Sequence, residues 1–140
     1  MKPEVKVCGV RDVAFAVAAA KLGVDYLGFI FEPSSPRHVT VSQAAEIAAS
    51  LAGGAEGDGV LFDSSHGDGE RELRRGAYRT ILAGGVSAGN VAMAVATGPD
   101  VLDVNSSLET APGIKSAARL EDFMRAFAAA TAADNAKGRE

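Results

Sequence analysis

Short apolar runs alternate with longer amphipathic stretches along most of this 140-residue chain. That repeated change of period is what strand–helix units produce. Val5-Lys6-Val7-Cys8-Gly9 reads as a first strand, and Asp12 is placed to cap a helix over residues 13–22 that Gly23 ends. Tyr26-Leu27-Gly28-Phe29-Ile30-Phe31 is a second strand, nearly all apolar, as a strand buried on both faces is. A polar loop over 32–40 leads to a helix from about Ser42 to Leu51, where Ser42, Ala45 and Glu46 make only an approximate capping box. After a glycine-rich segment, 53–59, the pattern predicts a third strand over 60–63. A second glycine-rich loop over 64–69 and a short charged helix over 70–75 come next. Residues 79–83 form the fourth strand, 88–97 a helix, 101–104 the fifth strand and 117–130 the last helix. The single domain then covers 1–133, and 134–140 is a polar, frayed tail. Five strands alternating with five helices predict an α/β fold with a parallel sheet.

Length bounds this architecture. The chain is long enough for one core but short of a complete eight-unit barrel, which typically takes ~250 residues. It is 47% hydrophobic and 23% charged, with a net charge of −4 and no basic run, so nothing suggests a nucleic-acid surface. One cysteine rules out an intrachain disulfide and suits a reducing compartment. Met1-Lys2-Pro3-Glu4 lacks the apolar region of a signal peptide, and no apolar run reaches the ~18 residues of a membrane span. Cytoplasm, with no membrane contact, is the expectation.

The candidate chemistry sits at the ends of the strands. Cys8 closes the first strand and Asp63 the third, and in strand–loop–helix folds reactive groups collect at that end. A thiol there is either small buried packing or, as thiolate, a base; the carboxylate is the complementary acid. Arg37 follows the second strand and is either solvated or a bidentate clamp for a substrate carboxylate. Gly84-Gly85 is either a tight strand-to-helix turn or a phosphate cradle, and the Asn105-Ser106-Ser107 loop after the neighbouring strand favours the cradle. His38 and His66 have no metal-ligand spacing and read as exposed, and no paired Cys/His pattern points to a metal.

In this order the residues resemble the phosphoribosylanthranilate isomerase family, (β/α)8-barrel enzymes of tryptophan biosynthesis. The resemblance runs through Lys6-Val7-Cys8-Gly9, Leu27-Gly28-Phe29-Ile30-Phe31 with Ser35-Pro36-Arg37, and Leu61-Phe62-Asp63-Ser64. It continues through Leu82-Ala83-Gly84-Gly85 with Asn90-Val91, then Asp103-Val104-Asn105-Ser106 to Glu109, and Pro112-Gly113-Ile114-Lys115. It covers about residues 4–127 and implies an Amadori rearrangement of a phosphorylated small molecule, without a cofactor. Cys8 is then the general base and Asp63 the general acid. Arg37 holds the anthranilate carboxylate, and Gly84, Gly85, Ser106 and Ser107 line the phosphate site. The base must work as thiolate, which calls for positive charge close by.

The chain departs from the family in its middle, where the third, fourth and fifth βα units have no counterpart. What remains resembles units six, seven, eight, one and two, neighbours in a closed barrel. The expected architecture is therefore an incomplete (β/α) barrel of about five parallel βα units derived from a TIM-barrel pattern. Its expected open edges are strands 26–31 and 60–63, through which two copies would form a homodimer unless the arc closes on itself with distortion. Ser107 replaces a family glycine, and Gly67-Asp68-Gly69-Glu70 brings two carboxylates to a loop where the family has a hydroxyl and a cation. The competing expectations are a non-catalytic descendant that binds a phosphorylated ligand or a partner, and an isomerase or lyase acting on another anthranilate-like acid.

Overall fold

The computed structural model describes residues 2–51 and 80–138, together with the backbone of 61–63. The glycine-rich segments 53–59 and 64–69, the charged helix expected over 70–75, and His66 lie outside the described residues. Five parallel strands form the sheet: β1 (Glu4–Val7), β2 (Tyr26–Ile30), β3 (Leu61–Asp63), β4 (Ile81–Leu82) and β5 (Val101–Val104). Their order is β3-β2-β1-β5-β4, so β1 is central. Val7 lies opposite Leu27 on one side and Val104 on the other.

That order corrects the expected edges. β3 pairs with β2, Gly28 opposite Leu61 and Ile30 opposite Asp63, so among the described residues the outer strands are β3 and β4 rather than β2 and β3. The cause is local. A single helical crossover lands the next strand beside the one it left, and no intervening unit carries this one further round.

Among the described residues four helices cover one side of the sheet: α1 (Val13–Lys21), α2 (Val41–Leu51), α3 (Val91–Ala96) and α4 (Ala117–Lys137). α1 packs on α2 and α4, and α4 on α3, so the helices run in the same sequence as the strands beneath them. Val5, Val7, Phe29, Leu102 and Val104 are buried under this layer against Phe15, Ile47, Val91, Leu120, Phe123 and Phe127. Strand alternation sends the intervening residues to the opposite face. There Lys6 Nζ pairs with Asp103 Oδ2 at 3.1 Å and Tyr26 Oη donates to Glu4 Oε2 at 2.7 Å, while the middle of the second strand, Leu27 to Phe29, is buried on both faces as expected.

The caps show why the helices begin where they do. Asp12 Oδ1 accepts from Phe15 N at 2.7 Å, the expected cap of α1. For α2 the capping box is Thr40 with Gln43: Gln43 N donates to Thr40 Oγ1 at 3.1 Å and Thr40 N to Gln43 Oε1 at 2.8 Å. Ser116 caps α4, which runs unbroken to Lys137, past its expected end and through the start of the expected tail. The pattern also missed a hairpin, β6 (Glu109–Ala111) with β7 (Ile114–Lys115), reached through a single 3-10 turn at Ser106–Leu108. No helix among the described residues is long and apolar enough to cross a membrane.

Candidate functional site

Cys8, half-buried, is the first residue beyond β1, and its N–H donates to Val104 O at 3.1 Å, which keeps it level with the exit of β5. On the other side a Cβ at Gly28 would stand 3.2 Å from Cys8 Sγ, so glycine on β2 makes the space the sulfur occupies. Gly9 follows at φ +74°, and a side chain there would meet Arg37 Cδ at 2.7 Å and Asn105 Oδ1 at 3.2 Å. Gly9 thus serves twice: it takes a left-handed backbone and lets the β2–α2 loop and the β5 exit close over it.

Arg37 reaches this point because its loop is folded back on β2, with Val39 N donating to Ile30 O at 2.9 Å and Arg37 N to Ser35 Oγ at 3.1 Å. Its guanidinium is engaged in an ion pair, and the side chain is only partly exposed. Nε donates to both Glu109 oxygens at 3.1 and 3.0 Å, and Nη2 to Oε1 at 2.6 Å. Lys115 Nζ donates to Glu109 Oε2 at 2.9 Å and to Asn105 Oδ1 at 2.7 Å. Gly113 N also donates to Glu109 Oε2, at 3.2 Å. Gly113 sits at φ +81° in the hairpin turn, and any Cβ there would run into Pro36 O, so the hairpin lies flush against the Arg37 loop.

Burial alone would raise the Glu109 carboxyl, but hydrogen bonds from Arg37 and Lys115 and their charges outweigh it and hold the pKa below the usual range. Lys115 is lowered by burial, with Glu109 opposing that shift. The neighbouring Arg37 charge lowers it further, and the Cys8 sulfur, when charged, raises it.

The glycine pair lies one strand further along. Gly84 (φ +93°) and Gly85 (φ +70°) are exposed, with open space where a side chain would project. Asn90 ties down this turn, accepting from Ser87 N at 2.8 Å and donating to Gly85 O at 2.8 Å. Ser107 Oγ donates to Val86 O at 2.6 Å and joins the two loops, while Ser106 is exposed. α3 is only 6 residues long and begins at Val91, so its N-terminus stands further from Gly85 than the pattern predicts. A cavity of about 250 Å³ opens beside Ser87, Gly89, Ser107 and Arg119.

The structure therefore gathers Cys8, Arg37 and the 105–107 loop, with Gly84 and Gly85 joined through Ser107. Asp63 lies at the β3 edge, opposite Ile30 in the register, and its side chain is outside the described residues. The residues that sequence reasoning passed over are Glu109, Lys115 and Asn105. Each falls within a motif quoted above, but a carboxylate and an ammonium in a polar stretch look solvated until the hairpin buries them.

A family model for N-(5'phosphoribosyl)anthranilate (PRA) isomerase matches residues 49–126. The chain belongs to that family. Its function is thereby isomerisation of N-(5'-phosphoribosyl)anthranilate, a step of tryptophan biosynthesis. The N-(5'-phosphoribosyl)anthranilate isomerase of Pseudomonas putida (strain W619) is 29% identical over 196 residues, covering 86% of this chain and 95% of the relative. Because 196 aligned positions exceed the 140 residues of this chain, the relative carries a long stretch with no counterpart here. Among solved structures, the phosphoribosylanthranilate isomerase of Thermus thermophilus superposes with a TM-score of 0.71 at 24% identity, covering 90% of this chain and 98% of the other. Another isomerase of the family, in complex with reduced 1-(o-carboxyphenylamino)-1-deoxyribulose 5-phosphate, superposes at 0.69 and 17% identity, covering 91% and 99%. At such identities these two establish the shared fold.

Proposed function

We propose that the cluster at the C-terminal ends of β1, β2 and β5 carries out the family's Amadori rearrangement, with Cys8 as base and Asp63 as acid. Asp63 gives a proton to the ribose ring oxygen as the C1′–O bond breaks, and the anthranilate nitrogen supplies the electron pair that forms the iminium. Cys8, as thiolate, takes the C2′ proton; the electrons left behind neutralise the iminium, and the enolamine tautomerises to the ketone. One proton enters and one leaves, so the substrate is oxidised at C2′ and reduced at C1′ with no external redox partner. Arg37 uses Nη1, which donates to none of the described residues, for the anthranilate carboxylate, since Glu109 takes the Nε–Nη2 edge. Gly84, Gly85, Ser106 and Ser107 take the phosphate.

The observation that carries this reading is the convergence at Gly9. The sole thiol and the sole Arg of the β2–α2 loop meet there beside the serine loop. The finer architecture belongs to the same proposal: an incomplete barrel of about five βα units, cytoplasmic, whose outer strands β3 and β4 are covered in a homodimer. The test is to generate phosphoribosylanthranilate in situ and follow loss of its fluorescence with the wild-type chain, Cys8→Ala and Asp63→Asn. Turnover confined to the wild type supports the assignment. Binding of a phosphorylated ligand with no turnover above the variants replaces it with a non-catalytic descendant, a reading favoured by the ion pair that already occupies Arg37.

A further inference from the structure

We propose that Lys115 is a positioning residue for the sole thiol of the chain: held in place by Glu109 and Asn105, its buried ammonium sets Cys8 up as a thiolate. The inference rests on reading Cys8 as the base and adds the group that makes it one. The geometry is a short relay. Val7 lies opposite Val104, so the next positions, Cys8 and Asn105, leave their strands side by side. Asn105 Oδ1 lies 3.2 Å from the Cβ position of Gly9 and accepts from Lys115 Nζ at 2.7 Å. A second contact, Nζ to Asn105 O at 3.4 Å, and the 2.9 Å contact to Glu109 leave the ammonium no freedom to swing away. The Lys115 side chain is 1% exposed. Solvent therefore screens its charge little, and its field reaches a sulfur one residue from that glycine.

Charged groups of both signs among the described residues lie on the elements around Cys8. On its own strand Lys6 and Glu4 share its face; Lys6 is neutralised by Asp103 of β5, and Glu4 is hydrogen-bonded to Tyr26 of β2. From the β2–α2 loop comes Arg37, from β6 Glu109 and from β7 Lys115, two positive charges against one negative. Asp63 of β3, two strands away, has no described side chain. Counted together, Lys6, Arg37 and Lys115 balance Glu4, Asp103 and Glu109, so it is the placement of the buried Lys115 ammonium beside Asn105 and Gly9, not a net surplus, that favours the thiolate. The Cys8 charge and the Lys115 ammonium support one another, against the burial that disfavours the cation.

Because Cys8 is the only cysteine, alkylation of the whole chain reports it alone. The pH dependence of iodoacetamide alkylation is measured for wild type, Lys115→Met and Lys115→Arg, each checked for fold by circular dichroism. The wild-type midpoint is expected below the ~8.5 of a free thiol. Lys115→Met should raise it by about one unit, a tenfold loss of thiolate at neutral pH, while Lys115→Arg stays near wild type. A midpoint unchanged in Lys115→Met overturns the proposal. Should that variant not fold, the wild type alone decides, through its preference for negatively charged iodoacetate over neutral iodoacetamide. A ratio above that of a small free thiol supports the proposal, and an equal or lower ratio overturns it. Alkylation is independent of turnover. A chain that shows the shift without isomerising fails only the functional reading; one that isomerises without the shift fails only this inference.

Discussion

Glu109→Gln should destabilise this protein although it exchanges a single group of the side chain. The substitution keeps the shape of the side chain and replaces one carboxylate oxygen with an amide NH2. That oxygen now faces donors only. Arg37 Nε and Nη2 contact Oε1 at 3.1 and 2.6 Å, and Lys115 Nζ and Gly113 N contact Oε2 at 2.9 and 3.2 Å. Either orientation of the amide sets an N–H against an N–H and leaves two cations with no anion between them. The Glu109 side chain is 3% exposed and that of Lys115 1%, so water restores little. Removing one partner of a buried ion pair costs about 3–5 kcal/mol. At about 3 °C per kcal/mol for a domain of this size, the melting temperature should fall by roughly 10 °C at neutral pH. Urea and thermal unfolding followed by far-UV circular dichroism read this directly. The difference should also depend on acid. Burial raises the Glu109 carboxyl, but its cations outweigh that and hold it below the ordinary 4.5, so the unfolded chain takes up this proton first. The stabilisation is therefore complete above 4.5 and is lost as the pH falls through the depressed folded value, where wild type and variant converge. A loss below about 1 kcal/mol at neutral pH, the range of a solvent-exposed pair, would refute the reasoning.

Three further outcomes follow from the same contacts. Gly113→Ala forces a side chain into Pro36 O at φ +81°, and urea melts should show a loss of at least ~1–3 kcal/mol; an unchanged midpoint means the hairpin does not press on the Arg37 loop. Phe29→Ala empties a fully buried position under the helix layer and should cost about 3–5 kcal/mol by the same melts, with a loss under ~1 kcal/mol contradicting the packing. Cys8→Ala should lower kcat for phosphoribosylanthranilate at least ~10²-fold with the fold intact, and retained turnover removes Cys8 from the chemistry.

Much of this arrangement was legible in the order of residues. The parallel α/β sheet, the Asp12 cap and the strand-end positions of Cys8, Arg37 and the serine loop all depend on short-range patterns that the chain spells out locally. What was not legible depends on pairings between distant residues. The neighbours of β3 cannot be read from 60–63, because an apolar run of that length suits either side of the arc. The crossover through α2 decides it, setting Ile30 against Asp63. The same holds for Glu109: a lone carboxylate before Pro112-Gly113 looks solvated until Ile114–Lys115 folds back beside it and the Arg37 loop closes on top. The resulting cluster links two of the positions named from sequence. Arg37 is aimed by Glu109, and the ammonium that Glu109 also holds is bound to Asn105 beside Gly9, so under the proposed roles the clamp and the base both depend on one buried carboxylate. A substitution there should alter substrate affinity and thiol reactivity together.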